Sequence, residues 1–172
     1  MMKKLGANLD VESFDLHICK DKPGNNIYFV HDQCHAMKLV RNAWNHHKKL
    51  KNADGDIIDW SYIIELHNLQ NITNLKSANK LSQNHVYFHN QKMKVKYAVQ
   101  LMSRSVALSL KLCRENLQMP EFAGSEATEE FLYIMNDIFD IFNSSSKYAM
   151  FSLKRAISIE NQADWLPVLG TC

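Results

Sequence analysis

Read for the spacing of its apolar positions, the chain begins with a strand signal and then turns helical. Ile27-Tyr28-Phe29-Val30 is an uninterrupted β-favouring run after the turn-like Pro23-Gly24-Asn25-Asn26, which predicts a buried strand ending just before Asp32. Met37, Val40 and Trp44 then fall at helical spacing, with Lys38 and Arg41 close to them on the same helix. Trp60, Ile63, Ile64 and His67 share one helical face, with Asp59 as a candidate N-cap and Asp54-Gly55 as the turn before it. From about Gln91 to Asn116 the positions Ala98, Leu101, Met102, Ser105, Leu108 and Leu112 form a broad stripe fit for burial in a bundle. Met119-Pro120 interrupts it and Gly124-Ser125 restarts it. Glu126, Glu129 and Glu130 follow where a helix dipole favours negative charge. Phe131, Ile134, Met135, Ile138 and Phe142 make a second stripe, Ser144-Ser145-Ser146 reads as a loop, and Pro167 limits how far a last helix can run.

Composition changes this picture little. The chain has 172 residues, enough for one core, and its 46% hydrophobic and 22% charged content is ordinary for a globular protein. A formal net charge of +2 is too small to imply nucleic-acid binding by itself. The basic runs His46-His47-Lys48-Lys49-Leu50-Lys51 and Lys92-Met93-Lys94-Val95-Lys96 are solvated helix ends or phosphate contacts. Cys19, Cys34, Cys113 and Cys172 show no CxxC pairing, and no signal peptide or long apolar span is present. A reducing, soluble compartment is the expectation.

Three groups of residues carry candidate chemistry. Asp32 stands between the apolar strand and the basic helix, where a carboxylate could ligate a hard divalent ion or could simply cap the first amides of the helix. Asn136, Asp140 and Asn143 follow i, i+4, i+7 spacing and make a polar row opposite the second apolar stripe. That row is a solvated face, or a guanine reader, since a carboxylate accepts the N1 and N2 hydrogens of guanine and an amide bonds its O6 or N7. Lys80 and Lys94 are candidate phosphate neutralisers, or ordinary surface lysines. No GxxxxGK[ST] string occurs, and Asn79-Lys80-Leu81-Ser82 has Ser82 where a guanine-reading NKxD string has its acid, so nothing in the sequence argues for GTP hydrolysis. His31, Cys34 and His35 fit no four-ligand zinc spacing, and Asp54-Gly55-Asp56 has Asp59 where a calcium loop needs its Gly, so turn chemistry is the expectation there even with Glu65 at the twelfth position.

Several short, unusual strings occur here in sequence: Leu5-Gly6-Ala7-Asn8-Leu9, His31-Asp32-Gln33-Cys34-His35, Asn79-Lys80-Leu81, Gln91-Lys92-Met93-Lys94-Val95-Lys96, Gly124-Ser125-Glu126-Ala127-Thr128 and Asn136 through Ser144. In that order they resemble the P element transposase family and its THAP-domain relatives, over nearly the whole chain. The resemblance implies an RNase H-like catalytic fold interrupted by a largely helical insertion that binds GTP. It makes Asp32 a catalytic acid that holds magnesium. Asp140 and Asn143 match the family's guanine-contacting pair, Lys94, Val95 and Ser103 match its Lys-Val with Ser eight residues on, and Lys80 matches a further nucleotide-contacting lysine with a small offset in spacing.

The fold expected on this basis is mainly α, with a short α/β remnant of an RNase H-like fold over 1–45 and a helical GTP-binding insertion over 46–172. The strand carrying the family's first acid would precede this chain, the segment carrying its last acid would follow it, and no THAP zinc module is present. The chain is therefore expected to be a truncated or exonised transposase piece that supports DNA transposition through GTP and does not cut DNA alone. By resemblance its partners are GTP and, within a full transposase, DNA and a homo-oligomer of the parent, with no membrane and a nuclear location. The alternative is a helical interaction or relic domain that binds no nucleotide.

Overall fold

The computed structural model describes residues 17–22, 25–28, 32–73, 81–144, 146, 148–157 and 159–170. They divide into two compact units, 1–32 and 33–172. The first holds an antiparallel hairpin of β1 (His17–Lys22) and β2 (Asn25–Tyr28), with His17 opposite Tyr28 and Cys19 opposite Ile27. Asn25 and Asn26 are strand residues and not part of the turn, while Phe29, Val30 and His31 lie outside the described residues.

The second unit is mainly helical. Helix α1 (Gln33–His47) buries Met37, Arg41 and Trp44, whose spacings of four and three place them on one stripe. It ends at Lys48, which adopts a left-handed φ of 65° and returns its amide to the Trp44 carbonyl at 2.8 Å. A second antiparallel hairpin follows, β3 (Lys49–Lys51) with β4 (Ile57–Asp59), and Leu50 faces Ile58 across it. Its turn is held by the Asn52 side chain, whose Oδ1 accepts the Asp56 amide at 2.7 Å, and Gly55 supplies the φ of +93° the turn requires. This hairpin is not among the elements expected in the largely helical region after residue 45. Its strands are three residues each and too short for an alternating pattern to register.

Asp59 ends β4 and starts α2 (Ser61–Thr73), its Oδ1 accepting the Ser61 amide at 2.8 Å as the cap expected there. Then come α3 (Gln83–Val86), α4 (Val95–Leu101), α5 (Arg104–Lys111), a π turn over Leu112–Asn116, α6 (Glu126–Phe142) and α7 (Gln162–Gly170). Helix α7 continues three residues past Pro167 and so corrects the expected limit. No helix among the described residues is long and apolar enough to cross a membrane.

The expected single stripe from Gln91 to Asn116 is two helices out of phase. Ser103 is extended (φ −121°, ψ 154°), and its hydroxyl donates to the Gln100 carbonyl at 2.8 Å, ending α4. Its own carbonyl accepts the amides of Val106 and Ala107 and starts α5. The break rotates the buried face, so Val106, Ala107, Ser109 and Leu110 point inward while Ser105, Leu108 and Leu112 are exposed.

The core gathers at two tryptophans. Trp44 meets Trp60 edge to face at 4.8 Å and Phe131 at 5.1 Å, and its indole N–H donates to the Ile58 carbonyl at 3.2 Å. One side chain thus joins α1, β4, the start of α2 and α6. Beside it the Arg41 guanidinium is fully buried over the Phe88 ring, 4.1 Å from its centroid, and donates to the Lys92 carbonyl at 2.6 Å.

Among the buried titratable groups that make the fold acid-sensitive are His85 and Glu129, with His67 held low by burial in the same direction as His85. Burial is the largest influence on the His85 imidazole and holds it below its ordinary value. The Ser82 amide donates to its Nδ1 at 3.1 Å, so the ring is the neutral Nε2–H tautomer, donating to Gln100 Oε1 at 3.1 Å. Burial pushes the Glu129 carboxyl up, but hydrogen bonds from Arg114 and Ser125 outweigh it and the group ends below its usual range. Both shifts are downward, so both stabilise at higher pH and are lost as pH falls, because the unfolded chain takes up protons first. The melting temperature is expected to drop below about pH 6.5, where unfolded histidines charge, and again below about pH 4.3, where unfolded glutamates protonate. In calorimetric scans from pH 8 to 3, His85→Gln shrinks the first decline and Glu129→Gln the second.

Candidate functional site

Helices α5 and α6 run antiparallel, because the residue opening α5 meets the later part of α6 and Arg114, in the π turn after α5, meets its first turns. Arg104 Nη2 reaches both oxygens of Asp137, at 3.0 and 3.1 Å, with its guanidinium over the Tyr133 ring. Arg114 reaches Glu129 with Nε and Nη2, each at 2.9 Å, and Glu126 at 3.2 Å. Glu129 is buried and also accepts the Ser125 hydroxyl at 2.6 Å. Between the helices Gly124 takes a φ of +80°, and a Cβ there would stand 3.3 Å from Tyr62 Oη, which donates to the Ala123 carbonyl at 2.8 Å.

This pairing sets a cleft at the far end of α6. Arg104, Asn136, Asp137 and Asp140 form one wall, Phe151, Ser152, Leu153 and Lys154 form the other, and the enclosed volume is about 300 Å³. Asn136 is engaged on both sides: its Oδ1 accepts the Arg104 amide at 3.3 Å, satisfying a free N–H at the start of α5, and its Nδ2 donates to Asp137 and Asp140, each at 3.2 Å. Asp140 Oδ2 takes the Asn136 hydrogen bond and lies 3.6 Å from Lys154 Nζ, while Oδ1 accepts no hydrogen bond from the described residues. The cleft therefore presents a carboxylate acceptor, a lysine and an aromatic ring.

The structure brings some of the expected residues together. Ser103 immediately precedes Arg104, so it stands beside the Asn136 face of this cleft, its Oγ 3.0 Å from that of Ser105. Asn143 caps α6 and is exposed one turn beyond Asp140, outside the residues that line the cleft. Lys94 and Val95 open α4 at its other end from Ser103, one seven-residue helix away, roughly 10 Å at 1.5 Å per residue. Lys94 is exposed with Nζ 5.7 Å from the Tyr97 ring centre. Lys80 lies outside the described residues. Asp32 is exposed, directly before α1, and among the described residues no group of three or more His, Cys, Asp and Glu side chains could hold a metal ion. By itself it does not make a two-metal site.

Two larger clefts offer less chemistry. One of about 390 Å³, lined by His67, Gln70, Asn71 and Tyr87 among others, has no charged side chain. In the other, of about 480 Å³, the carboxylates of Asp59 and Glu126 are paired with Lys49 and Arg114.

The family model described as TNP-like, GTP-binding insertion domain matches residues 34–156. The chain belongs to this family. It is 32% identical over 156 residues to the DNA transposase THAP9 of Homo sapiens, covering 86% of this chain and 16% of that protein. To the Transposable element P transposase of Drosophila melanogaster it is 34% identical over 119 residues, covering 69% of this chain and 15% of that protein. A solved Drosophila P element transposase strand transfer complex superposes with a TM-score of 0.74 at 27% identity, over 87% of this chain and 33% of that one. The chain thus spans about a sixth of the length of the curated relatives it matches. The resemblance read from the short strings is borne out: this is a GTP-binding insertion domain of the P element-like transposases.

Arg104, Asp137, Phe151 and Lys154 were not among the residues singled out from the sequence. Nothing local marks Arg104, Asp137 and Lys154, because each acquires its place from a partner on another element.

The two arginines that bracket α5 are expected to differ in weight. Arg104 is 55% exposed, so Arg104→Ala costs at most about 1 kcal/mol, a shift of up to ~4 °C in melting temperature. Arg114→Ala leaves the buried Glu129 carboxylate without its cation and costs roughly 3 kcal/mol, about 6–12 °C. Thermal unfolding of both variants reads the contrast.

Proposed function

We propose that the cleft between α6 and residues 151–154 receives the guanine base of GTP, with Asp140 reading its edge. The observation that carries this reading is the Asp140 carboxylate, set in a cleft of about 300 Å³ with one oxygen unengaged by the described residues, in a chain of the GTP-binding insertion family. That volume is at the small end of the roughly 300–1,000 Å³ range for small-molecule sites, so it suits a base or nucleoside and leaves the triphosphate to run outward. Guanine presents N1–H and N2–H on one edge, and a carboxylate accepts both as charge-assisted hydrogen bonds. Asn143, one turn on, is the amide for O6 or N7. Ser103 at the start of α5 is a further polar contact, while Lys94, with Val95 beside it, and Lys80 serve as point charges for the phosphates.

Nothing in this set activates a water for attack on a phosphoryl group, and GTP is read as a structural ligand. Within a complete transposase the module would support DNA transposition in the nucleus, with DNA and further copies of the parent as partners. Asp32 is proposed as one oxygen ligand of that parent's magnesium, in a short RNase H-like segment preceding the helical insertion. The boundary between the two is placed near residue 45.

Calorimetric titration tests the base assignment. Asp140→Ala is expected to cost roughly 1.5–3 kcal/mol of GTP binding, the range for hydrogen bonds to a charged group, or about ten- to a hundredfold in affinity. Asn143→Ala should cost less. ATP should bind poorly, because adenine N1 is an acceptor and would face the carboxylate with no proton between them. Equal affinity for the two nucleotides, or no loss in Asp140→Ala, would return the polar row to a solvated face and favour the interaction domain.

A further inference from the structure

Residues 151–154 close the cleft with two side chains that are poorly placed for a merely structural role. Phe151 is 66% exposed, an aromatic ring left largely in water at the cleft that Asp140 lines. Lys154 Nζ lies 5.8 Å from the centre of that ring and 3.6 Å from Asp140 Oδ2. One ammonium group is therefore held between an aromatic face and a carboxylate, with nothing else among the described residues paired to it.

Those two contacts are the ones a guanine would make. A base whose N1 and N2 hydrogens point at Asp140 needs a partner for its flat face, and an aromatic ring on the opposite wall of the cleft supplies it by stacking. We infer that Phe151 is the stacking residue of the base site, and that in the nucleotide-free protein Lys154 occupies the space between Phe151 and Asp140 as a surrogate for the base and must leave on binding. This rests on reading the cleft as the guanine site. It extends that reading to a second wall, contributed by the turn that follows α6 in the chain, and to a competition between an internal cation and the ligand.

The chemistry of the exchange is balanced. Lys154 gives up an exposed ion pair and a ring contact and is rehydrated, while Asp140 exchanges one cationic partner for two N–H donors and Phe151 exchanges a cation for a base. The displaced group is half exposed (52%), so its release needs no rearrangement of the core.

The test uses guanosine, whose lack of phosphates removes any attraction to Lys154, and the full chain. Phe151→Ala should weaken guanosine binding by roughly five- to a hundred-and-fiftyfold, the range for removing one base–aromatic stack. Phe151→Trp should preserve binding and report it by quenching of the new indole. Lys154→Ala should tighten guanosine by up to about fivefold at low salt, a gain that fades as salt weakens the ion pair it removes. All three side-chain changes are at exposed positions, and unchanged thermal unfolding confirms that the fold is intact. If Asp140→Ala abolishes binding while Phe151→Ala leaves it unchanged, or if Lys154→Ala weakens guanosine, the second-wall inference fails and the base assignment stands. If Asp140→Ala and Phe151→Ala both leave guanosine binding unchanged, the base assignment fails with it.

Discussion

The buried carboxylate of Glu129 fixes the α5–α6 pair on which the candidate site depends. Arg114 meets it with two nitrogens and Ser125 with its hydroxyl, so the charge is compensated and its acceptor positions are used. A pair of this kind adds little net stability over an apolar replacement, because desolvating both ions offsets most of their attraction. Its effect is on register. A helix that slid by one residue would leave an uncompensated charge in the interior, whereas an apolar seam would tolerate the slip. With that end fixed, Arg104 at the opposite end of α5 comes within reach of Asp137, and Asn136 can cap the α5 amide. The exposed pair contributes little energy of its own, but it orders one wall of the cleft.

A second constraint acts on the segment before α4. Arg41 is a fully buried cation whose partners among the described residues are neutral: the Asn42 side chain, the Lys92 carbonyl and the Phe88 ring. Burial lowers its tendency to hold a proton, yet a guanidinium remains charged in any ordinary environment. Its Nη1 and the Oε1 of Gln91, the residue before Lys92, are a buried donor and a buried acceptor without partners among the described residues. Such an arrangement costs stability, and what it achieves is to hold the backbone at Lys92, two residues before Lys94. The basic stretch Lys92–Lys96 is thereby presented from a fixed point and not from a free loop.

How far the sequence discloses this molecule depends on the range of the interactions involved. The helix over α6 is legible because its apolar stripe is long, its start is marked by Gly124-Ser125 and its acids sit in the first turn. The cap at Asp59 is legible because it acts over two residues. The division at Ser103 is not, since serine is tolerated inside helices and only the rotation of the buried face from Leu101 to Val106 shows the break. The β3–β4 hairpin is missed because three-residue strands carry no period. Asp140 and Ser103 could be named from family strings, and the structure puts both beside the α5–α6 end. Arg104 and Lys154 could not, because their positions follow from contacts 33 and 14 residues away in the chain.

The same arithmetic of range bears on what a bound nucleotide would do. The cleft draws on the start of α5, the later turns of α6 and the 151–154 turn, three separate segments of the chain. A ligand that contacts all three binds only when they are assembled, and at about 100 times its dissociation constant it would add roughly 2.7 kcal/mol to the assembled state. That is comparable to the loss expected on breaking the Arg114–Glu129 pair. On the proposed reading GTP therefore acts as a removable counterpart of that ion pair. Glu129 fixes one end of α5 against α6 permanently, and the nucleotide fixes the other end only when bound. A module built this way needs no hydrolysis to be regulated, since the difference between its two states is whether the second wall is held.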